Sequence, residues 1–228
     1  RDFHDDYIVA PGIVSDMVGF GGKLYVVGTF TTVDGLSCGN FAIYDVNTNQ
    51  WTVPSAGGFD SGLTSIEFYR GRFIIGGSFS FAGSLRTPNV VAYNIQTERY
   101  ERMNSGLLGS VRDLQVLPGN SLVALGRFSL LAGFSTVSIA EFKDDIWRSL
   151  DCQCTDVGCR FDNVGYECIP VSGTGYTLNI VEKNAFIVHS TGFYRMSTRD
   201  PSFPPQEIDN FLDGALTDRR VASTRGIN

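Results

Sequence analysis

Apolar and polar side chains alternate along Leu63-Thr64-Ser65-Ile66-Glu67-Phe68, the period of a half-buried strand. Tyr69–Arg72 breaks the alternation as a turn. Phe73-Ile74-Ile75-Gly76-Gly77 is then apolar throughout and closes on a double glycine, as in a strand covered on both faces. After a loop from Ser80 to Asn89, Val90-Val91-Ala92-Tyr93 predicts a third strand. A polar turn, Asn94–Glu98, leads to a fourth around Arg99–Met103. The same run recurs along the chain. Gly28-Thr29-Phe30, Gly77-Ser78-Phe79 and Gly126-Arg127-Phe128 stand 49 residues apart, twice in succession. That step also relates Asn40 to Asn89, Tyr44 to Tyr93 to Phe142, and Trp51 to Tyr100, with Trp147 following after a two-residue deletion. Val14-x-x-Met17, Leu63-x-x-Ile66 and Val111-x-x-Leu114 open the three copies.

A period near 50 means one supersecondary unit repeated. Four short strands per unit, with a glycine and an aromatic in each, predict an all-β fold, a β-propeller of four-stranded blades. A β-sandwich also has many short strands, but its sequence does not repeat at a fixed step. The expected boundaries are a propeller over 1–200, with blades at about 12–60, 61–108, 109–150 and 171–200, an insertion at 151–170, and a tail over 201–228. The fourth copy is degraded. Gly175–Ile180, Phe186–His189 and Phe193–Met196 serve as its first three strands, and its Trp-type fourth strand is missing. Tyr7–Ala10 precedes Val14 much as Trp51 and its neighbours precede Leu63. Either that N-terminal strand completes the last blade or the chain is part of a longer array. The start, Arg1-Asp2-Phe3, suits a processed protein or an excerpt.

The chain of 228 residues is long enough to bury roughly 70% of its unfolded surface, so a core forms without metal or cofactor. Seventeen Phe and nine Tyr favour strands. With 18 Lys and Arg against 24 Asp and Glu the net charge is −6, which disfavours nucleic acid and anionic membrane as partners. No apolar run approaches the roughly 18 residues of a membrane-spanning helix.

Four of the five cysteines lie close together, as Cys152-x-Cys154-x4-Cys159-x8-Cys168. Zinc prefers Cys-x2–4-Cys pairs with a longer spacer, which this spacing meets only in part. An even cluster in a loop with little core of its own points instead to two local disulfides and an oxidising compartment. Four cysteines allow three pairings, so connectivity stays open. Cys38 is expected to be a separate, free or partly buried thiol.

Leu24-Tyr25-Val26-Val27-Gly28, then Tyr44-Asp45, then Trp51, resembles the kelch and galactose-oxidase-like propeller repeats. The longer form, Ile75-Gly76-Gly77-Ser78-Phe79-Ser80-Phe81-Ala82-Gly83 with Asn89 and Ala92-Tyr93, is similar to repeats of fungal cortical-marker (Rax-type) proteins and of bacterial surface propellers. The resemblance covers about residues 12–150, with a faint echo to 200. It departs at the Cys152–Cys168 insertion and in the tail. It implies the fold and says little of function, because propellers host unrelated activities.

Candidate chemistry is sparse. His4 lies among Asp2, Asp5 and Asp6 and reads as surface; His189 ends an apolar strand and reads as structural. No Gly-x-Ser-x-Gly elbow is present. Galactose-oxidase chemistry requires a copper site with two histidine ligands and a Tyr–Cys crosslink, which the resemblance does not bring with it. Asp45-x-Asn47-x-Asn49 has calcium-loop spacing without the glycine or distal glutamate, so an Asx turn is expected. Asp162-Asn163 with Glu167 is a weaker cation candidate. The loops Thr31–Gly39, Ser80–Pro88 and Ser129–Val137 sit where propellers meet partners. Their apolar Phe81, Leu85, Leu130, Leu131 and Phe134 suit partner contact or packing between blades. Ser15-Asp16, Thr64-Ser65 and Arg112-Asp113 are expected to line the central channel. No cofactor, catalytic residue or metal ligand is assigned. The sequence thus predicts an extracellular, non-enzymatic structural or adhesive module, in contact with protein or glycan at a cell surface and able to self-assemble. The alternative is a propeller-scaffold enzyme, glycan-active or of oxidase type, with its site at the channel mouth.

Overall fold

A computed structural model describes residues 12–117, 120–130, 137–149, 175–181, 184–189, 192–197 and 206–207. Within them the chain forms four antiparallel meanders. The first sheet contains β1 (Ile13–Phe20) and β2 (Lys23–Thr29). A small hairpin of β3 (Thr32–Val33) and β4 (Leu36–Ser37) precedes its outer strands, β5 (Phe41–Asp45) and β6 (Gln50–Thr52). The second repeats this plan with β7 (Leu63–Tyr69), β8 (Arg72–Gly77), the hairpin β9 (Phe81–Ala82) and β10 (Leu85–Arg86), then β11 (Val90–Asn94) and β12 (Arg99–Arg102). The third comprises β13 (Leu107–Leu117), β14 (Ser121–Leu130), β15 (Val137–Lys143) and β16 (Ile146–Ser149). The fourth comprises β17 (Gly175–Val181), β18 (Asn184–His189), β19 (Gly192–Ser197) and β20 (Gln206–Glu207).

The sheets stack in one repeating manner. β1 and β2 lie against β7, β7 and β8 against β13, and β13 and β14 against β17. First strands are therefore neighbours around a common axis, the arrangement of propeller blades. The architecture is an all-β propeller of four-stranded blades, as the period of 49 implies.

The repeated glycine follows from a bulge. Register shifts between Val14 and Asp16, Leu63 and Ser65, Val111 and Asp113, and Gly175 and Thr177, at the same place in all four first strands. Gly28, Gly77 and Gly126 sit opposite the bulge. A Cβ added at Gly77 would fall 2.5 Å from the carbonyl oxygen of Gly62, so no larger residue fits beside the first strand there. In the fourth sheet the positions are exchanged: His189 stands where the others have glycine, and Gly175 stands opposite, in the place of Val14, Leu63 and Val111. The degraded copy thus retains a glycine at its bulge, on the other strand.

Phe30, Phe79 and Phe128 take equivalent buried places at the end of each second strand. The joint between the first two blades is aromatic, with Tyr25 against Phe73 at 4.2 Å and Phe41 edge-on to Tyr93 at 5.3 Å between ring centres. Phe59, in the connection between blades, meets Phe79 and Tyr100. The next joint is mostly aliphatic, built on Ile74, Val90, Val111, Leu114, Leu122 and Ala124.

The last blade departs from expectation at its outer strand. Its fourth-strand place, which Tyr7–Ala10 fills in one of the two arrangements read from the sequence, is taken by β20, with Glu207 opposite Tyr194 and Gln206 opposite Arg195. The stretch assigned to a tail from residue 201 thus supplies a strand. Two polar residues carry no periodic pattern, so this pairing has no signature in the sequence. Tyr7–Ala10 itself lies outside the described residues. The third blade also begins earlier than position 109, because β13 extends back to Leu107.

Candidate functional site

In the first two blades the bulge turns a polar side chain, Asp16 and Ser65, toward the next first strand. Asp16 accepts from the backbone N–H of Ile66 at 3.0 Å and from the Ser65 hydroxyl at 3.2 Å. The Ser65 oxygen in turn accepts from the N–H of Leu114 at 3.1 Å and lies 3.4 Å from Asp113. Thr64 donates to the carbonyl of Val111 at 2.7 Å. Of the groups expected to line a channel, Asp16, Thr64, Ser65 and Asp113 therefore form a belt of hydrogen bonds stitching blade to blade, while Ser15 and Arg112 are exposed. A carboxylate or hydroxyl is needed here because a bulge leaves the neighbouring strand's N–H without a ladder partner.

The period-49 asparagines form a second set of stitches. Asn40 and Asn89 both adopt positive φ, 74° and 61°, which asparagine tolerates better than most residues. The Asn40 side-chain oxygen accepts from Phe30 N–H, and its side-chain amide donates to the carbonyls of Phe59 and Ser61 in the connection to the next blade. The Asn89 amide donates to the carbonyl of Leu107 at 2.6 Å. Aromatic residues of the fourth strands reach the other way. Tyr100 donates to the carbonyl of Gly57 at 2.7 Å, and the Trp147 indole N–H to that of Met103 at 3.3 Å. Both acceptors follow the fourth strand of the preceding blade. The indole N–H of Trp51, at the corresponding place in the first blade, is buried without a partner among the described residues.

Two of the three loops expected to meet partners, Thr31–Gly39 and Ser80–Pro88, form hairpins, and most of Ser129–Val137 lies outside the described residues. Asp34 and Gly35, both at positive φ, make the two-residue turn between β3 and β4. Asp60 accepts from the N–H groups of Ser80 and Phe81 and so seats the second hairpin. Arg102 donates from Nε to the carbonyl of Arg86 on its far side. Leu36 and Phe81 project from these hairpins as exposed apolar groups, whereas Leu85 packs on the core. The side chains of Leu130, Leu131 and Phe134 lie outside the described residues.

The Asp45 carboxylate accepts from the N–H groups of Asn47 and Thr48, an Asx turn that Asn94 reproduces with Gln96 and Thr97. These backbone donors hold its pKa below the usual carboxylate value. Tyr44 donates to Asn49 in the same turn and lies tilted against Trp51 with ring centres 5.0 Å apart, as Phe142 does against Trp147. Cys38 is buried and free, 3.8 Å from the carbonyl of Phe30, and burial pushes its thiol pKa up. A protonated buried thiol is a poor nucleophile. Cys152, Cys154, Cys159, Cys168, Asp162, Asn163, Glu167 and His4 lie outside the described residues. His189 is placed by its backbone between Gly175 and Gly192.

Sequence reasoning missed the blade-to-blade belt, since its partners lie 48 to 50 residues apart. It also passed over Asp34-Gly35, a dipeptide that signals a hairpin.

The family model of the Kelch motif matches residues 16–58. That of the Rax2 C-terminal beta propeller domain matches residues 61–163. No curated protein matches the chain. Repeats of this kind characteristically serve as protein-interaction modules and non-catalytic scaffolds. The first match covers the first blade and the second covers the next two with three of the four clustered cysteines, so residues 16–163 carry kelch-type β-propeller repeats related to the Rax2 C-terminal propeller.

Proposed function

We propose that the chain acts outside the cell as a non-enzymatic structural or adhesive module, through contact with protein or glycan at the cell surface and through association of propeller units. The observation that carries this reading is the hydrogen-bond belt. Asp16, Ser65 and Asp113, polar side chains of the first strands, are engaged in holding blades together. The first two blades also carry one hairpin each, with Leu36 and Phe81 exposed. The four clustered cysteines support an oxidising compartment.

Labelling intact, unpermeabilised cells with antibody to this segment tests the location; signal only after permeabilisation would overturn it. Peptide mapping without reduction should show two disulfides among Cys152, Cys154, Cys159 and Cys168. Contact is tested by glycan-array and surface-protein binding of the chain and of Leu36→Asp with Phe81→Asp. Binding lost in the variant, with unchanged thermal midpoint, supports the reading. Turnover of a substrate that survives mutation of both hairpins would sink it.

A further inference from the structure

What the fold requires recurs at the step of 49, and a side chain that does not recur is open to another use. Three such side chains meet at the second hairpin. Phe81, Arg86 and Arg102 stand where the first blade has Thr32, Ser37 and Val53, and the third blade has Leu130 and Ser135 in place of Phe81 and Arg86. Val53 packs on the core of its blade, whereas Arg86 and Arg102 are exposed and Phe81 is 42% exposed. Phe81 and Arg86 are directly opposed across β9 and β10, so their side chains share one face of the hairpin. Arg102 joins them from β12, its Nε donating to the Arg86 carbonyl at 3.1 Å. Neither guanidinium pairs with a carboxylate among the described residues, where Arg72 with Glu101 is the ion pair. In a chain of net charge −6, two uncompensated arginines beside an exposed ring are not accounted for by folding.

We infer that this hairpin face binds an acidic glycan, a sugar chain carrying carboxylates, through Phe81, Arg86 and Arg102. The proposal rests on the surface-contact reading and deepens it by naming what the second hairpin takes. A planar guanidinium meets a carboxylate with two parallel N–H bonds. Arg102 uses its Nε on the hairpin, which leaves its terminal nitrogens for a ligand. The face of the Phe81 ring is negative and suits the C–H face of a sugar. A peptide added as a strand is a poorer occupant, because both edges of the hairpin are in use. On β9, the Phe81 carbonyl accepts from Asp60 N–H and the neighbouring Gly83 N–H donates to the Gly58 carbonyl; on β10, the Arg86 carbonyl accepts from Arg102. Strand addition needs such groups free. A densely sulfated chain is disfavoured as well, since two cations match a sparse anion and the net charge of −6 repels a dense one.

Titration of the full chain with a hyaluronate hexasaccharide, followed by nitrogen-15 chemical shifts, tests the proposal. A chitin hexasaccharide offers sugar rings without carboxylates, and an end-blocked hexapeptide of alternating glutamate and alanine offers carboxylates without sugar. The hyaluronate should bind roughly tenfold more tightly than either control, and more weakly as salt rises, because exposed charges are screened. Arg86→Gln, Arg102→Gln and Phe81→Ala should each lower its affinity by roughly tenfold with an unchanged thermal midpoint. Arg102→Gln keeps an N–H for the Arg86 carbonyl and removes the charge, so its effect reports on the ligand and not on the hairpin. No binding of hyaluronate at millimolar concentration, or equal binding of the chitin hexasaccharide, would overturn the proposal. So would arginine variants that bind as the parent does, or a peptide that binds as tightly, which would assign the face to an acidic protein segment. If hyaluronate fails while Leu36→Asp with Phe81→Asp still abolishes surface binding, this ligand falls and the surface-contact reading stands. Hyaluronate binding by a chain found only inside cells would do the reverse.

Discussion

Met17 on β1 and Ile66 on β7 hold the same place in their repeats, three residues after an equivalent apolar partner and directly after the bulge. One is half exposed and the other is fully buried. The strand, the bulge and the glycine opposite are alike, so local structure does not account for the difference. The preceding blade does. Phe30 and Phe79, by contrast, are equally buried although one blade has an open face. The repeat thus contains two kinds of apolar position: those that stay buried even where a blade has an open face, as Phe30 does among Val26, Val33, Cys38 and Ala42, and those that only a neighbour covers. Repeat proteins depend on both, because a unit cannot bury its whole apolar surface alone.

The largest expected effect tests the first kind. Phe30→Ala, Phe79→Ala and Phe128→Ala should each cost about 3–5 kcal/mol by chemical denaturation, with no distinction between the open blade and the covered ones. A much smaller cost for Phe30→Ala would show that its burial also depends on a neighbour, and the division would fail.

The second kind is tested by a pair. Ile66→Ala should cost about 2–5 kcal/mol, as a cavity in a complete joint. Met17→Ala should stay within about 0.5 kcal/mol of the parent, as a surface change. Equal losses would mean that the exposed face of β1 is covered in solution.

How far this division was legible depends on what each feature leaves in the sequence. Strand alternation, the fully apolar second strand, and Gly28, Gly77 and Gly126 are local signals, and they outlined three blades. Phe30, Phe79 and Phe128 followed from the same spacing. The period did not reveal that Asp16 and Ser65 bridge strands 48 to 50 residues away, because a side-chain-to-backbone bond across a joint imposes no pattern along the chain. β20 was illegible for a different reason: two polar residues pair by backbone alone. The missing acceptor of Trp51 emerges only when three blades are set side by side. Among the candidate site residues, the Asp45 turn was read from its spacing, since Asx turns are local.

A smaller effect separates the joints by one hydrogen bond. Trp147→Phe removes the bond to the carbonyl of Met103, and Trp51→Phe removes an indole N–H that has no described acceptor. The first should cost about 1 kcal/mol more than the second. Trp51→Phe that proves as costly as Trp147→Phe would show that Trp51 already has an acceptor in solution.

The smallest effect compares the first two blades at a place where neither depends on a neighbour. Asp45 and Asn94 are one repeat apart and close the same turn, each accepting two backbone N–H bonds. Only the aspartate titrates. Its carboxyl is held below the usual value, first by the N–H of Asn47 and then by that of Thr48. The folded state therefore binds this proton less readily than the unfolded chain does. Its contribution is fully present above the ordinary carboxylate pKa, near 3.9, and is lost as pH falls through the lower folded value. Asp45→Asn puts the second blade's solution into the first, so the turn should persist while this pH dependence disappears. In urea titrations, parent and variant should differ by a constant amount above about pH 5 and converge or cross in the more acid range. Parallel curves down to pH 2 would mean that the turn donors do not distinguish carboxylate from amide. The two blades would then be equivalent in this turn at every pH.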